Sequence, residues 1–256
     1  MSTRAHQAPT PSARTPQAPA PHARPHPAPA PHARPRQAPA PAGFPLDALP
    51  PARREELRAA CARLAELDDT EFGVRLLANT PGHETRDETL LRQWAREAAD
   101  FGTELAADAP AGTGPGARRT RVVETTGGAE RLLLARYRSR PVPTVELFTD
   151  TLSLGEHLVD LLGWRHLYPA GSLRAAALAH ERAHCLLHED TGARRALRGR
   201  LGHTALRIGP LRVPGHVAGA GELVAHAYAG AVCGLRRTPL LLTAALMGAV
   251  QALRED

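Results

Sequence analysis

His180, Glu181 and His184 form a His-Glu-x-x-His motif inside the Ala- and Leu-rich run from Leu173 to Leu187. On an α-helix, residues four apart lie on one face about 6 Å apart. Two imidazoles so placed can grip one Zn²⁺ from the same side. Glu181, beside the first His, can then take a proton from a water that the metal polarises. The spacing describes a hydrolytic centre with two ligands and a general base. The plain alternative is a pair of core histidines satisfied by a salt-bridged Glu, since a motif of three fixed positions also arises by chance. The context favours the metal. Tyr168-Pro169-Ala170-Gly171 is turn chemistry, and Ser172 is a good N-cap. From Leu173 to about His188 the chain reads as a helix with Ala, Leu and Cys on nearly every side, which predicts burial. Two His and a Glu buried there need partners, and a cation supplies one.

A tetrahedral catalytic zinc takes three protein ligands and keeps one position open. Three candidates exist for the third ligand. His188 lies eight residues after His180, about 12 Å along the helix axis, and belongs in an outer role or at the helix end. Asp190 stands ten residues after His180, the place of the third ligand in metzincin-like patterns. Those patterns have a Gly where this chain has Leu187. Glu222 is the preferred candidate. It lies near the start of a second mostly apolar segment, Gly221 to Ala229, that follows the turn-rich run Val213 to Gly221. A carboxylate at the start of a second buried helix completes a two-helix site. The competing role for Glu222 is a charge favoured at a helix N-terminus by the macrodipole.

The stretch Leu178-Ala179-His180-Glu181-Arg182-Ala183-His184-Cys185-Leu186-Leu187-His188 resembles the active helix of the ImmA/IrrE-type zinc metallopeptidases, and Glu222…Ala227-Tyr228 resembles the helix that carries their third ligand. The resemblance spans roughly residues 118–235 and is specific over these two stretches. It implies a gluzincin-like site, with His180, His184 and Glu222 on Zn²⁺ and Glu181 as general base. It also implies a peptide or protein substrate, such as a repressor or another regulator. The chain departs from the pattern at Arg182, where a small or apolar residue is usual, and at Leu223, where Ala is usual. It departs again at His226, four positions after the ligand Glu, where thermolysin-like gluzincins carry an acidic residue. His226 shares a face with Glu222. It can bond the water, stabilise an oxyanion, contact substrate, or only pack. Tyr228 is turned about 120° away, which suits the core more than the site.

The surrounding elements follow from pattern. Pro51 to Leu67 and Glu84 to Ala107 read as amphipathic helices, with Leu57, Cys61, Leu64 and Leu67 on one stripe and Leu90, Leu91, Trp94 and Ala98 on another. Residues 108–117 form a Pro/Gly linker. Arg121 to Glu124 and Arg131 to Tyr137 flank Thr125-Thr126-Gly127-Gly128, which predicts a β-hairpin. Thr144 to Phe148 reads as a strand, with Val145-Glu146-Leu147 as the edge where an extended peptide would pair. Leu152 to Trp164 reads as a helix. Leu240 to Val250 is too short for a membrane span and reads as a buried C-terminal helix. The expected class is α+β: a mostly helical, zincin-like domain over residues 118–256 with a small sheet, preceded by a helical segment over 46–107.

Residues 1–45 are a low-complexity tail of Pro, Ala, Arg and His, with no apolar core of a signal sequence, and read as disordered. All basic residues are Arg. Five lie in residues 1–46, which hold no acid, so the net charge of +6 is mostly in the tail and the body is near neutral. Such an arm can touch nucleic acid, although a solvated tether is the simpler reading. No membrane association is expected. The three Cys are scattered without paired spacing, which fits a reducing cytoplasm. Two other classes of protein remain open: a non-catalytic zinc-bound regulatory or binding module whose basic tail contacts nucleic acid or a protein partner, and a helical structural domain with no metal. The oligomeric state is not legible.

Overall fold

The computed structural model describes residues 46–108, 120–209 and 211–254. The expected tail over residues 1–45 and most of the expected linker over 108–117 lie outside these residues. The described residues are mainly helical with a small mixed sheet, an α+β architecture.

Three helices come first: α1 (Pro51–Ala65), α2 (Asp69–Ala78) and α3 (Glu88–Ala107). Their starts are chemically marked. Pro51 occupies the first turn of α1, where its missing N–H costs nothing. The Asp68 carboxylate accepts from the Glu71 N–H at 2.7 Å and starts α2. The Asp87 carboxylate accepts from the Thr89 N–H at 2.8 Å, which is why α3 begins at Glu88 and not at Glu84. Leu57, Cys61, Leu77, Trp94 and Ala98 point into the core. The Trp94 indole N–H donates to the Leu201 carbonyl at 2.8 Å, so the largest side chain of α3 keeps its polar atom satisfied while buried.

Next come β1 (Arg121–Thr125), β2 (Ala135–Arg138), β3 (Thr144–Phe148) and α4 (Thr149–Leu161). The expected hairpin between the first two strands is absent. The sheet order is β1-β3-β2, with β1 parallel and β2 antiparallel to β3. The cause lies in the Gly127-Gly128 turn. The half-turn after β1 folds around the Asp150 carboxylate, which accepts from the N–H groups of Gly127 at 2.9 Å, Gly128 at 3.3 Å and Ala129 at 3.2 Å. A buried carboxylate from 21 to 23 residues downstream overrides the local hairpin preference. Val145-Glu146-Leu147 is therefore the central strand and not an edge. β2 is an edge of the sheet.

The remaining elements are α5 (Ser172–Glu189), α6 (Thr191–Leu201), a two-stranded ribbon of β4 (Thr204–Ile208) and β5 (Leu211–Pro214), α7 (Ala220–Val232) and α8 (Pro239–Arg254). α5 starts at Gly171, whose φ is 78°, and no side chain caps it; Ser172 is the first helical residue, with its hydroxyl buried. α8 buries Leu240, Leu241, Leu242, Leu246 and Val250. One apolar core draws residues from α1 to α3, the sheet and α4 to α8 alike, so residues 46–107 and 120–254 share it.

Two contacts fix α7. Gly102 of α3 lies against its backbone: a Cβ there would meet the Val224 carbonyl and come within 2.9 Å of the Ala227 methyl. α5 and α7 meet through small residues, with Ala176, Ala179 and Ala183 facing Ala225 and Ala229 beside the buried Tyr228 ring. Small side chains at a helix contact permit separations near the short end of the usual 8–10 Å range. That closeness brings polar groups on both helices within reach of one another.

Candidate metal centre

α5 and α7 each present an i, i+4 pair toward the other: His180 and His184 from α5, Glu222 and His226 from α7. Glu222 can stand there because of how α7 begins. Gly219, with φ of 79°, precedes the helix, and a Cβ on it would come within 2.9 Å of the Thr80 hydroxyl and 3.0 Å of Leu76. Only glycine meets both the left-handed backbone and that tight space. The turn puts Glu222 in the first helical turn, where the helix dipole favours its charge.

The three preferred ligand residues converge. Nε2 of His180 and Nε2 of His184 are 3.0 Å apart. Glu222 places Oε2 at 3.4 Å from Nε2 of His180 and Oε1 at 3.3 Å from Nε2 of His184. Ligand atoms about 2.0–2.1 Å from a tetrahedral zinc stand about 3.3–3.4 Å from one another. The two imidazole–carboxylate spacings, one to each oxygen of Glu222, match that edge length, and the imidazole–imidazole spacing is about 0.3 Å shorter.

Two imidazoles and a carboxylate at these distances can share protons or hold a cation. As protonated partners, His180 and then His184 hold the Glu222 carboxyl well below the usual carboxylate range. Burial opposes the charged form of His184, yet Glu222 and Glu181 outweigh it and raise its pKa. A fourth group bears on the choice. One ring nitrogen of His226 lies within 4.8 Å of donor atoms on both His180 and Glu222, and its ring stacks edge-on to that of His180 at 4.5 Å. Nδ1 of His226 is buried with no hydrogen-bond partner. Burial and the neighbouring His180 push its imidazole well below its ordinary pKa. The neutral form is the ligating form. Proton sharing among His180, His184 and Glu222 does not engage His226, whereas a cation among these donors is also within reach of a nitrogen of its ring.

Glu181 is nearly buried on the same wall, 9% exposed. Its Oε2 accepts from the backbone N–H of Tyr137 on β2 at 2.9 Å. The motif Glu is thus fixed against the sheet edge, a link that no sequence spacing could reveal. A cavity of about 600 Å³ opens over the site, within the range of small-ligand pockets. Its walls are residues 132–137, the His180/His184 face of α5, Glu222 with His226, and the start of α8. His188 lines this cavity from the exposed end of α5, where its carbonyl accepts from Arg194.

Other candidates lie elsewhere. Asp190 caps α6, accepting from the Gly192 and Ala193 N–H groups, so its carboxylate is spent on the helix start. Tyr228 is 1% exposed and packs in the α5–α7 seam, where it serves the core and not the cavity. Arg182 is exposed on the far side of α5, so that helix is not apolar all round. Cys185 is half-buried, and burial pushes its thiol up to about 11.

No family model, curated relative or solved structure matches the chain.

Proposed function

We propose that the protein is a zinc-dependent peptidase that hydrolyses a peptide bond in a cytosolic protein. One observation carries the reading: donor atoms of His180, His184 and Glu222 stand 3.0 to 3.4 Å apart beside a carboxylate, Glu181, that faces the same cavity. These three residues would hold the ion. When bound, zinc lowers the pKa of a water molecule and polarises the carbonyl under attack.

The chain's own groups supply the rest. Glu181 carries the proton. Tyr137 holds its Oε2, which leaves Oε1 to accept a proton from the attacking water. The same oxygen then returns the proton to the amine nitrogen as the C–N bond breaks. β2 orients the substrate. Leu134 offers its carbonyl to Phe148 of β3 at 3.0 Å, whereas the Tyr137 N–H points to Glu181. By strand alternation, the backbone of Ala135 and Tyr137 faces outward, along the cavity. An extended peptide laid there brings its scissile bond past Glu181. Leu132, Leu133 and Leu134 make that wall apolar.

The cytosolic setting is supported by three free cysteines, Cys61, Cys185 and Cys233. No described helix is long and apolar enough to cross a membrane. The decisive test pairs elemental analysis of the purified protein with hydrolysis of a peptide library by the native chain and by Glu181→Gln. Bound zinc and turnover lost only in the variant support the reading. A protein that carries no metal, or a variant that still cleaves, overturns it.

A further inference from the structure

We propose that His226 is a fourth protein donor to the same cation, making the resting site a closed set of three imidazoles and one carboxylate. This rests on the reading of His180, His184 and Glu222 as ligands and goes beyond it. Three observations carry it. First, the two helices are matched: each offers donors four residues apart, and each pair lies on the face turned to the other helix. Second, a ring nitrogen of His226 is within 4.8 Å of donor atoms on His180 and Glu222, so these two ligands belong to overlapping triads, one completed by His184 and one by His226. Third, the Nδ1 atom of His226 is enclosed without a hydrogen-bond partner. A buried polar atom left unpaired is costly, and native proteins rarely keep one without use.

The chemistry of the set narrows the ion. Imidazole suits zinc, iron, nickel and copper, and one carboxylate among three imidazoles gives no preference for calcium or magnesium. Four protein donors on a tetrahedral zinc leave no vacant position. Hydrolysis then requires His226 to leave the ion, so that the native chain turns over only through the fraction of time in which that position is open. The small-residue seam between α5 and α7 holds the two pairs close.

The test counts ligands directly. The full chain is labelled with ¹⁵N-histidine, loaded with ¹¹³Cd²⁺, and examined by NMR for scalar coupling between metal and ring nitrogens. Three coupled imidazoles, with one lost in His226→Ala, are expected. Two coupled imidazoles, both surviving in His226→Ala, overturn the proposal while leaving the three-ligand reading intact. No bound cadmium, or no coupling, overturns both. A second readout is ligand access in the Co²⁺-substituted protein. His226→Ala should perturb its visible spectrum at about tenfold less azide than the native chain needs, because a position is opened. Equal azide sensitivity overturns the latch.

Discussion

The backbone N–H of Tyr137 donates a 2.9 Å hydrogen bond to Oε2 of Glu181, joining the edge strand to the residue that follows the first histidine. A Gln side chain has the same shape and its carbonyl oxygen can accept the same bond. Glu181→Gln should therefore keep its fold and metal content while losing proton transfer, with a fall of about 10²–10⁴ in rate. Metal analysis and peptide hydrolysis on one preparation check both halves. Metal lost together with activity would make Glu181 a structural residue.

Glu222 bridges the two imidazoles through both of its oxygens. Glu222→Ala should weaken zinc binding by more than the ~10–100-fold typical of a group that only supports a ligand. Competition with a chromophoric chelator measures this. An unchanged affinity would move the third donor elsewhere.

Gly102 sets the approach of α3 to α7. Gly102→Ala puts a methyl against the Val224 carbonyl and Ala227, and overpacking of this kind costs about 1–3 kcal/mol. The displaced helix carries Glu222, so zinc affinity should fall as well, although residue 102 touches no ligand. Gly199 is the matched control. A Cβ there meets nothing within 4 Å, so Gly199→Ala should stabilise α6 by about 0.5–1 kcal/mol and leave the metal untouched. Chemical denaturation should shift the two variants in opposite directions, and metal titration should change only for Gly102→Ala. Similar behaviour would break the link between the α3–α7 contact and the site.

Glu146 on the central strand accepts from Arg138 at 2.9 Å and Arg136 at 2.7 Å, which hold its carboxyl below the ordinary range. A depressed carboxyl pKa stabilises the fold above the unfolded value of about 4.3, and that contribution fades as pH falls through the folded value. The melting temperature of Glu146→Gln should thus lie below that of the native chain at neutral pH. The gap should close in acid and shrink in high salt. A gap that persists at low pH would point to packing instead of charge.

The convergence of the candidate ligands was legible because helical spacing alone puts residues 180 and 184 on one face, and Glu222 opens the next apolar helix. α1 and α3 were legible from their apolar stripes, and α8 from its continuous apolar run. What escaped was long-range. The Gly127-Gly128 turn reads locally as a hairpin, and only Asp150, more than 20 residues later, redirects it. The same event makes β3 central and β2 the edge, so the strand beside Glu181 was misplaced by one position in the sheet. α2 was missed because its ten residues are too few for a clear stripe, though Asp68 marks its start. The nearness of His226 to His180 depends on how closely two alanine-lined helices approach, which no single helix records.

The α3–α7 contact also limits how the protein can be cut down. A recombinant fragment starting near residue 118 would include every candidate ligand yet lack the helix on which the Glu222-bearing segment leans. The backbone around Val224 and the Ala227 methyl, which Gly102 abuts, would meet solvent. The smallest piece expected to load an ion reaches back through α2, where Thr80 and Leu76 abut Gly219, and cleavage after Ala107 followed by dissociation should abolish metal uptake.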